Sequence, residues 1–367
     1  MSLIKIKPRG TVNASGRRNM MINGGMQVAQ RLTTNRAATS DGYGAVDRWR
    51  LNNQSTAVIE MSQSTTVPTG QGFSNSVKLN VTTADTSLTS GVQALFRQRF
   101  EGQNLQRLKK GTSGAVATTL SFWVRSPKTG THIVELFDTD NSRHINKAYT
   151  ISSANTWEHK SISIEGDTTG AFSNDNLLSL EITWHLGAGS NFQSGTLQTS
   201  WGSRTDANRA VGQVNVFDST SNEFYLTGVQ WEIGDESNFE HRIFQQELQL
   251  CQRYFESRGT NTQNGWEFIF DAGMWFSTTG YQGAVRFREQ MRVAPSMSYT
   301  GTISNYKLVR DAGTHALSGA SAADNTNGRT LLITGSVANP GGSAPDGEQA
   351  RLQVLEAGHF FYFDAEL

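Results

Sequence analysis

The sequence predicts an all-β chain: a β-sandwich, then one amphipathic helix, then a second, smaller β domain. Three observations support this prediction. The composition suits strands joined by many turns, with 36 Gly, 6 Pro and 17% charged residues in a chain of 367. Most apolar segments alternate with a period of two, which places one face of a strand in a core. One segment between residues 243 and 256 has helical apolar spacing instead.

The first domain is predicted over residues 21–242 from short alternating strands. In the clearest strand, Leu178 to Leu186, even positions are apolar and odd positions are polar. The alternation predicts that Trp184 faces inward and His185 faces outward. In residues 118–125, Leu120, Phe122 and Val124 form one face. The opposite face of that strand carries Ser121, Trp123 and Arg125.

The strand at residues 224–233 changes the parity of its apolar positions. Phe224 and Leu226 share one parity, whereas Val229 and Trp231 share the other. The switch falls at Gly228, where a β-bulge would restore a single inward face.

A helix is predicted over about Ile243–Glu256, within a connecting segment at 243–258 that precedes a C-terminal β domain at 259–367. Its apolar stripe has spacings of four, three and four residues, and consists of Phe244, Leu248, Cys251 and Phe255. The stripe could pack within the subunit or against neighbouring subunits. Cys251 is the single cysteine, so no internal disulfide can form, and we interpret it as a small buried hydrophobe.

Charge and hydropathy exclude several classes of function. The net charge is 0, which argues against the clustered basic surface of a nucleic-acid binder. No apolar run has membrane-spanning length, and no export signal is visible, so synthesis in a cytoplasm is expected. Residues 1–40 carry seven Lys and Arg and no Asp or Glu. They predict either a solvated terminus or a basic arm, residues 1–20, that orders on an acidic protein surface. Its docking residues would be Lys5, Lys7, Arg9, Arg17 and Arg18.

Several segments in a fixed order resemble a family of tailed-phage tail-fibre and appendage proteins. They are NMMINGGMQVAQR, DRW at 47–49, TLSFWVRSPKTGTHIVEL, SGTLQTSW at 194–201, ANRAVGQVNVFDSTSNEFYLTGVQWEIG, ELQLCQRYFE, MRVAPSM and the final FDAEL. The resemblance covers most of residues 19–257 and is thinner towards the C-terminus. No single piece is specific, whereas their order and spacing together are.

The resemblance implies a carbohydrate-binding-like jelly-roll domain in a virion appendage, often a trimer, that attaches to host surface polysaccharide. The expected partners are other virion proteins of the tail, portal or capsid, reached through the arm, and further copies of the chain. The expected location is the virion, after synthesis in host cytoplasm and release by lysis. The chain has no long shaft before the sandwich, which leaves tail and head attachment both open.

The polar stretch at 187–213 supplies candidates for glycan binding, because sugars stack on flat aromatic faces and bond to convergent polar groups. These candidates are Trp201, Arg204, Asp206 and Arg209, together with His185 on the adjacent strand. The alternative is that Trp201 packs the loop onto the sandwich.

No catalytic motif or cofactor-binding pattern is present, so the prediction is a non-enzymatic protein without cofactor or metal. The sequence Asp138-Thr-Asp140-Asn141 has alternating oxygen ligands and is a weak calcium candidate, with a polar turn as the alternative. Three functional hypotheses follow. The first is a phage appendage that binds host glycan, the second a structural decoration or connector without ligand, and the third a glycan depolymerase.

Overall fold

The computed structural model describes residues 18–31, 36–38, 41–260, 267–310, 313–324, 328–337, 349–354 and 357–367. Its described residues form two compact units. The first comprises residues 18–27, 36–38 and 41–243, and the second comprises residues 28–31 together with the described residues from 244 onward.

The described part of the first unit contains thirteen strands. They are β1 (Arg36–Ala38), β2 (Gly42–Tyr43), β3 (Arg50–Asn53), β4 (Val58–Ser64), β5 (Ser76–Thr83), β6 (Gln93–Glu101), β7 (Thr118–Arg125), β8 (Gly130–Asp138), β9 (Arg143–Ile151), β10 (Glu158–Ile164), β11 (Leu178–Ala188), β12 (Gly202–Ser203) and β13 (Glu223–Ile233). Short 3₁₀ turns occur at Gly102–Asn104, Gln106–Leu108, Ser190–Phe192 and Asp206–Asn208.

These strands form two antiparallel sheets, so the all-β sandwich prediction is confirmed. One sheet has the order β1-β4-β5-β13-β7-β10, and the other has the order β12-β9-β8-β11-β6-β3-β2. The non-consecutive neighbours show that the chain crosses repeatedly between sheets, as in a jelly roll.

Large aromatic side chains fill the space between the two sheets. Phe122 of β7 and Trp184 of β11 meet across the sandwich with ring centroids 5.5 Å apart. Trp184 also contacts Trp49, which stacks on Phe96 at 5.0 Å. All four side chains are fully buried. The inward position predicted for Trp184 is therefore correct.

The parity switch in β13 is a β-bulge, as predicted. The pairing of β13 with β7 shifts register between Thr227 and Gln230, and Gly228 has a φ of 60°. Because the bulge adds one residue, Leu226 and Val229 both point into the core and are fully buried.

The second unit contains one α-helix and nine strands in its described residues. They are α1 (Phe244–Gln252), β14 (Phe255–Thr260), β15 (Glu267–Trp275), β16 (Gly280–Arg286), β17 (Ser296–Tyr299), β18 (Tyr306–Arg310), β19 (Gly313–Asp324), β20 (Thr330–Val337), β21 (Gln349–Val354) and β22 (His359–Asp364), with a 3₁₀ turn at Ile303–Asn305. Six strands close a barrel in the order β15-β16-β20-β19-β18-β21, and three form a sheet in the order β14-β22-β17.

The helix ends earlier than predicted. Tyr254 N donates to the carbonyl of Cys251, which closes a tight turn, and β14 begins at Phe255 and pairs with β22. Phe255 therefore does not belong to a helical stripe. Cys251 is buried as predicted, Leu248 is partly buried, and Phe244 at the start of the helix is 55% exposed. The helical prediction was wrong at 253–256 because the partner of β14 lies about a hundred residues away in sequence.

Residues 28–31 pack within the second unit. Arg31 lies with its guanidinium 3.5 Å from the centroid of the Phe255 ring and pairs with Asp364 at 3.1 Å. The Tyr362 hydroxyl donates to the carbonyl of Arg31, and Gln30 donates to the carbonyl of Phe255. A short segment far from the C-terminus in sequence thus packs against residues of β14 and β22.

No helix in the described part of the chain is both long enough and apolar enough to cross a membrane.

Candidate functional site

An open groove lies on the face of the six-stranded sheet that points away from the sandwich core. It encloses about 700 Å³ and lies over β7, β10 and β13, beside two loops at residues 70–73 and 236–241. Its rings are those of Phe73, Trp123, His159, Phe239 and His241. Its polar side chains include Gln71, Ser121, Glu236, Ser237 and Asn238. We call this feature the outer groove.

Trp123 of β7 is one of the rings that line the outer groove. It follows Phe122, and the strand alternation that buries Phe122 turns Trp123 to the opposite face. In the register of the sheet it lies between His159 of β10 and Thr227 of β13. The ring centroids of Trp123 and His159 are 5.1 Å apart, and Trp123 stays partly exposed. An indole held in this way presents a flat apolar surface next to polar groups.

The bulge in β13 shapes the groove beside Trp123. A Cβ atom at Gly228 would lie only 2.5 Å from Cζ of Phe73. Glycine therefore lets the Phe73 ring lie directly against the bulged backbone, and it also accepts the positive φ at low cost. The Phe73 ring contacts Phe239 at 4.9 Å and His241 at 5.4 Å between centroids. Three rings from two separate loops are thereby held together.

One carboxylate lies among these rings. Glu236 Oε1 is 3.4 Å from Nε2 of His159, and both side chains are 36% exposed. The amides of Gln71 and Asn238 add neutral donors and acceptors. The outer groove therefore combines flat apolar surfaces with hydrogen-bonding groups, the arrangement that sugar binding requires.

The sequence signal for this groove was the outward parity of Trp123 between Ser121 and Arg125. A tryptophan on the polar face of a strand needs either a cover or a ligand. Phe73, Phe239 and His241 had no such signal, because they lie in loops whose position depends on the fold.

None of the five residues predicted to bind glycan lines the outer groove. His185 is in β11 of the other sheet, and the remaining four are in the segment at 187–213. Two of the five are buried: His185 is fully buried and Arg209 is 5% exposed. The prediction that these two residues contact glycan from the surface is therefore wrong. His185 does lie on the face opposite Trp184, as predicted, but the loop at 187–213 covers that face.

A buried carboxylate explains why the loop packs there. Glu135 of β8 is fully buried and accepts hydrogen bonds from Arg209 Nη2 at 2.7 Å and Nε at 2.9 Å. It also accepts from His144 Nδ1 at 3.1 Å and His185 Nε2 at 3.2 Å. Gln93 accepts a further bond from Arg209 at 2.8 Å. The Arg209 guanidinium from the loop thus neutralises the Glu135 carboxylate on the sheet. The polar groups of this cluster bond to one another.

The protonation states in this cluster follow from its contacts. Burial by itself would raise the pKa of Glu135, but the Arg209 guanidinium and the bonds donated by His144, His185 and Arg209 hold that pKa well below its usual range. Burial lowers the pKa of His185, so this imidazole is neutral and donates through Nε2. His144 Nε2 accepts from the backbone N of Thr205, which leaves Nδ1 as the donor to Glu135.

The other three predicted residues do not converge on a common site. Trp201 packs against the sandwich core, and its Nε1 donates to the carbonyl of Glu165 at 2.9 Å. This is the packing role that was weighed as its alternative. Arg204 lies over the Phe137 ring at 5.0 Å and pairs with the exposed Asp206 at 2.9 Å.

The acidic cluster around Asp138, predicted as a weak calcium candidate, already holds the ammonium group of a lysine. The Lys110 ammonium lies 2.5 Å from Asp138 and 3.0 Å from Asp167. Asp140 accepts a bond from the backbone N of Ser173 instead. In the portion of the chain covered by the structure, no group of three or more His, Cys, Asp or Glu could hold a metal ion.

The predicted docking residues Lys5, Lys7, Arg9 and Arg17 lie outside the described residues. Arg18 is described, and it binds its own unit. Its guanidinium donates to the carbonyl of Asn238 at 2.6 Å and lies 3.4 Å from Glu232, while its backbone N donates to Glu240. These contacts fix the chain at the start of the sandwich.

No family model matches the chain, and no curated protein matches it. Among solved structures, the enzymatically active domain of bacteriophage CBA120 tailspike protein 4 is similar over 59% of this chain, with 16% identity and a TM-score of 0.33. This chain spans only 21% of that tailspike.

Two sugar-binding modules are also similar. TmCBM61 in complex with β-1,4-galactotriose has 10% identity over 60% of this chain and 100% of its own, with a TM-score of 0.29. The family 11 carbohydrate-binding module from Clostridium thermocellum, in complex with a β-1,3-1,4-mixed-linked tetrasaccharide, has 11% identity over 57% of this chain and 99% of its own, with a TM-score of 0.29. At these values the comparisons transfer neither ligand nor activity to this chain.

Proposed function

We propose that this chain is a non-enzymatic appendage of a phage particle that binds host surface glycan through the outer groove. The observation that carries the proposal is the partly exposed Trp123, held in an open groove beside the rings of Phe73 and Phe239. Rings in such a position would normally be covered by protein, because large apolar surface in water is unfavourable.

The dimensions and chemistry of the groove fit an oligosaccharide. Its volume of about 700 Å³ is that of an ordinary ligand pocket. The C–H face of a pyranose would stack on Trp123, and the amides of Gln71 and Asn238 would bond to ring hydroxyls. This arrangement favours binding to a chain of sugars that runs along the groove, rather than enclosure of a single sugar.

A binding role rather than hydrolysis is supported by the carboxylates. Glycosidases generally place two carboxylates across the scissile bond. Glu236 is the single carboxylate among the described residues that line the outer groove. A reducing-sugar assay on a bound polysaccharide tests this part of the proposal, which expects no release above that of a heat-denatured control.

The virion context rests on the resemblance of the sequence to tailed-phage appendages. We propose that residues 1–17 of the basic arm dock to other virion proteins. We also propose that the chain acts as a homotrimer in the particle. Arg18 is left in place in the test, since its contacts belong to the sandwich. Deletion of residues 2–17 is expected to give a folded protein that no longer joins the particle, and full incorporation of the truncated chain would refute the docking role.

The glycan proposal is tested on an array of bacterial capsular and O-antigen polysaccharides. Stacking on one face of an indole removes about 80 Å² of apolar surface from water, which is worth about 2 kcal/mol, or about 30-fold in Kd. We therefore expect Trp123→Ala to weaken the best-bound polysaccharide by about 30-fold. Trp157→Ala is the matched control, because Trp157 is also partly exposed on this unit but does not line the groove.

A third variant separates the two sheets. Trp201→Phe keeps an aromatic ring against the core but removes the indole from the loop at 187–213, and it should leave binding unchanged. Loss of binding in Trp201→Phe with full binding in Trp123→Ala would place the site on the loop instead. Absence of any binding by the assembled oligomer would favour a structural decoration without ligand.

A further inference from the structure

We infer that the outer groove selects glycan segments without charge, and that it discriminates against uronic, sialic or phosphorylated repeats. This inference rests on the proposed function, since it specifies the substrate class of the same groove. It comes from the distribution of charge around the aromatic rings.

The lining of the groove contains no lysine or arginine in the described residues. Its single carboxylate in the described residues is that of Glu236, whose Oε1 lies 3.4 Å from Nε2 of His159. The remaining polar lining consists of neutral amides and hydroxyls, among them Gln71, Ser121 and Asn238. Recognition of a carboxylate or phosphate generally uses arginine or lysine, which can offer charged donors to it.

Two cations on neighbouring positions of the same sheet, Arg125 and Lys78, already contact other groups. Arg125 is two residues beyond Trp123, lies over the Tyr225 ring at 5.0 Å, and donates to the carbonyl of Asn155 at 2.8 Å. Lys78 forms an ion pair with Glu223 at 2.6 Å. To reach a ligand in the groove, either side chain would have to give up these contacts.

At the other side of the groove, Arg18 is neutralised too. Its guanidinium binds the carbonyl of Asn238 at 2.6 Å and lies 3.4 Å from Glu232. The Glu232 side chain is 2% exposed and the Arg18 side chain is 38% exposed, and this carboxylate is the counter-charge that the Arg18 guanidinium already faces. An anionic sugar would thus be repelled by the Glu236 carboxylate, and no lysine or arginine in the described lining would offset that repulsion. A neutral sugar would not be repelled.

The test uses pairs of polysaccharides that differ only in charge. Acidic polysaccharides from the bacterial array are measured before and after carbodiimide and borohydride reduction, which converts each uronic carboxyl to a primary alcohol. Binding is measured at pH 8, where free imidazole is neutral, and at 0.15 M salt. We expect the wild-type protein to bind the reduced form at least tenfold more tightly than the acidic form.

Charge reversal at the groove provides the second measurement. Glu236→Lys should narrow or invert the preference between the two forms, and Asp235→Lys is the matched control, because Asp235 is exposed but does not line the groove. A similar change in both variants would show that only the overall field matters and would overturn the inference.

The outcomes separate this inference from the proposed function. Tighter binding of the acidic form, lost in Trp123→Ala, overturns the charge selectivity but keeps the groove as a glycan site. Binding that Trp123→Ala does not weaken, or no binding to any form, overturns the proposed function and the selectivity together. Tighter binding of reduced forms that depends on Trp123 and Glu236 supports both.

Discussion

Acid is expected to destabilise the first unit through His132, a histidine buried inside the sandwich. His132 is fully buried, stacks on Tyr149 with ring centroids 5.5 Å apart, and lies 6.3 Å from the Phe224 ring. Its Nε2 donates to the carbonyl of Lys128, whereas Nδ1 has no hydrogen-bond partner. Protonation would therefore place a charged N–H without an acceptor in an apolar core.

The magnitude follows from the difference in pKa between the folded and unfolded states. Burial lowers the pKa of His132 from 6.5 to about 4, the hydrogen bond to Lys128 opposes the shift, and the charges of Lys128 and Lys160 add to it. Below pH 6.5 the unfolded chain takes up a proton that the folded chain does not, so stability falls with falling pH until about pH 4. Between pH 7.5 and 5 this difference corresponds to about 2 kcal/mol in the free energy of unfolding.

The assay compares wild type with His132→Phe, which keeps an aromatic ring beside Tyr149 but cannot titrate. Urea unfolding is followed at pH 7.5 and pH 5 by hydrogen–deuterium exchange of peptides from β8 and β9, which reports on the first unit separately. The stability lost on acidification should be about 2 kcal/mol smaller in His132→Phe than in wild type. Val134→Ala in the same strand is the control, and its destabilisation should be equal at both pH values. An equal acid loss in wild type and His132→Phe would refute the reasoning.

Three further predictions concern the sandwich. Arg209→Met should destabilise the first unit by about 3–5 kcal/mol because it leaves the buried carboxylate of Glu135 unpaired, and Glu135→Gln combined with Arg209→Met should recover most of that loss in urea unfolding. Gly228→Ala should lower the free energy of unfolding by at least about 1–2 kcal/mol, because alanine is strained at a positive φ. It should also weaken polysaccharide binding by displacing Phe73. Normal binding by this variant would contradict our account of the groove. Millimolar calcium or a chelator should leave the melting temperature of the wild type unchanged, since the Lys110 ammonium already fills the acidic cluster; a rise with calcium would show a site that the lysine does not block.

Local patterns in the sequence were sufficient to predict which side chains are buried in strands that have one face in the core. The period-2 alternation in β11 and β7 correctly placed Trp184, Phe122 and their neighbours in the core. The parity switch at Gly228 correctly predicted the bulge, because an extra residue must be absorbed wherever inward positions change parity. These inferences needed only neighbouring residues.

The prediction of His185 and Arg209 as glycan-binding residues failed because a long-range contact buries both side chains. Periodicity placed His185 on the polar face of β11 but could not show that Arg209, from a loop, would pair with Glu135, 74 residues earlier, and cover that face. The end of the helix failed for a similar reason, since Phe255 takes its strand partner from β22. In both places a distant segment outweighed the local pattern.

The sequence by itself determined that this chain is an all-β sandwich followed by a helix and a second β unit, because apolar periodicity and turn composition are local properties. It also determined that Trp123 faces away from the core. Only the tertiary structure decided which aromatic residues are accessible together. Phe73 and Phe239 are 166 positions apart, and they meet beside Trp123 because the bulge at Gly228 leaves space for a ring where any side chain would clash.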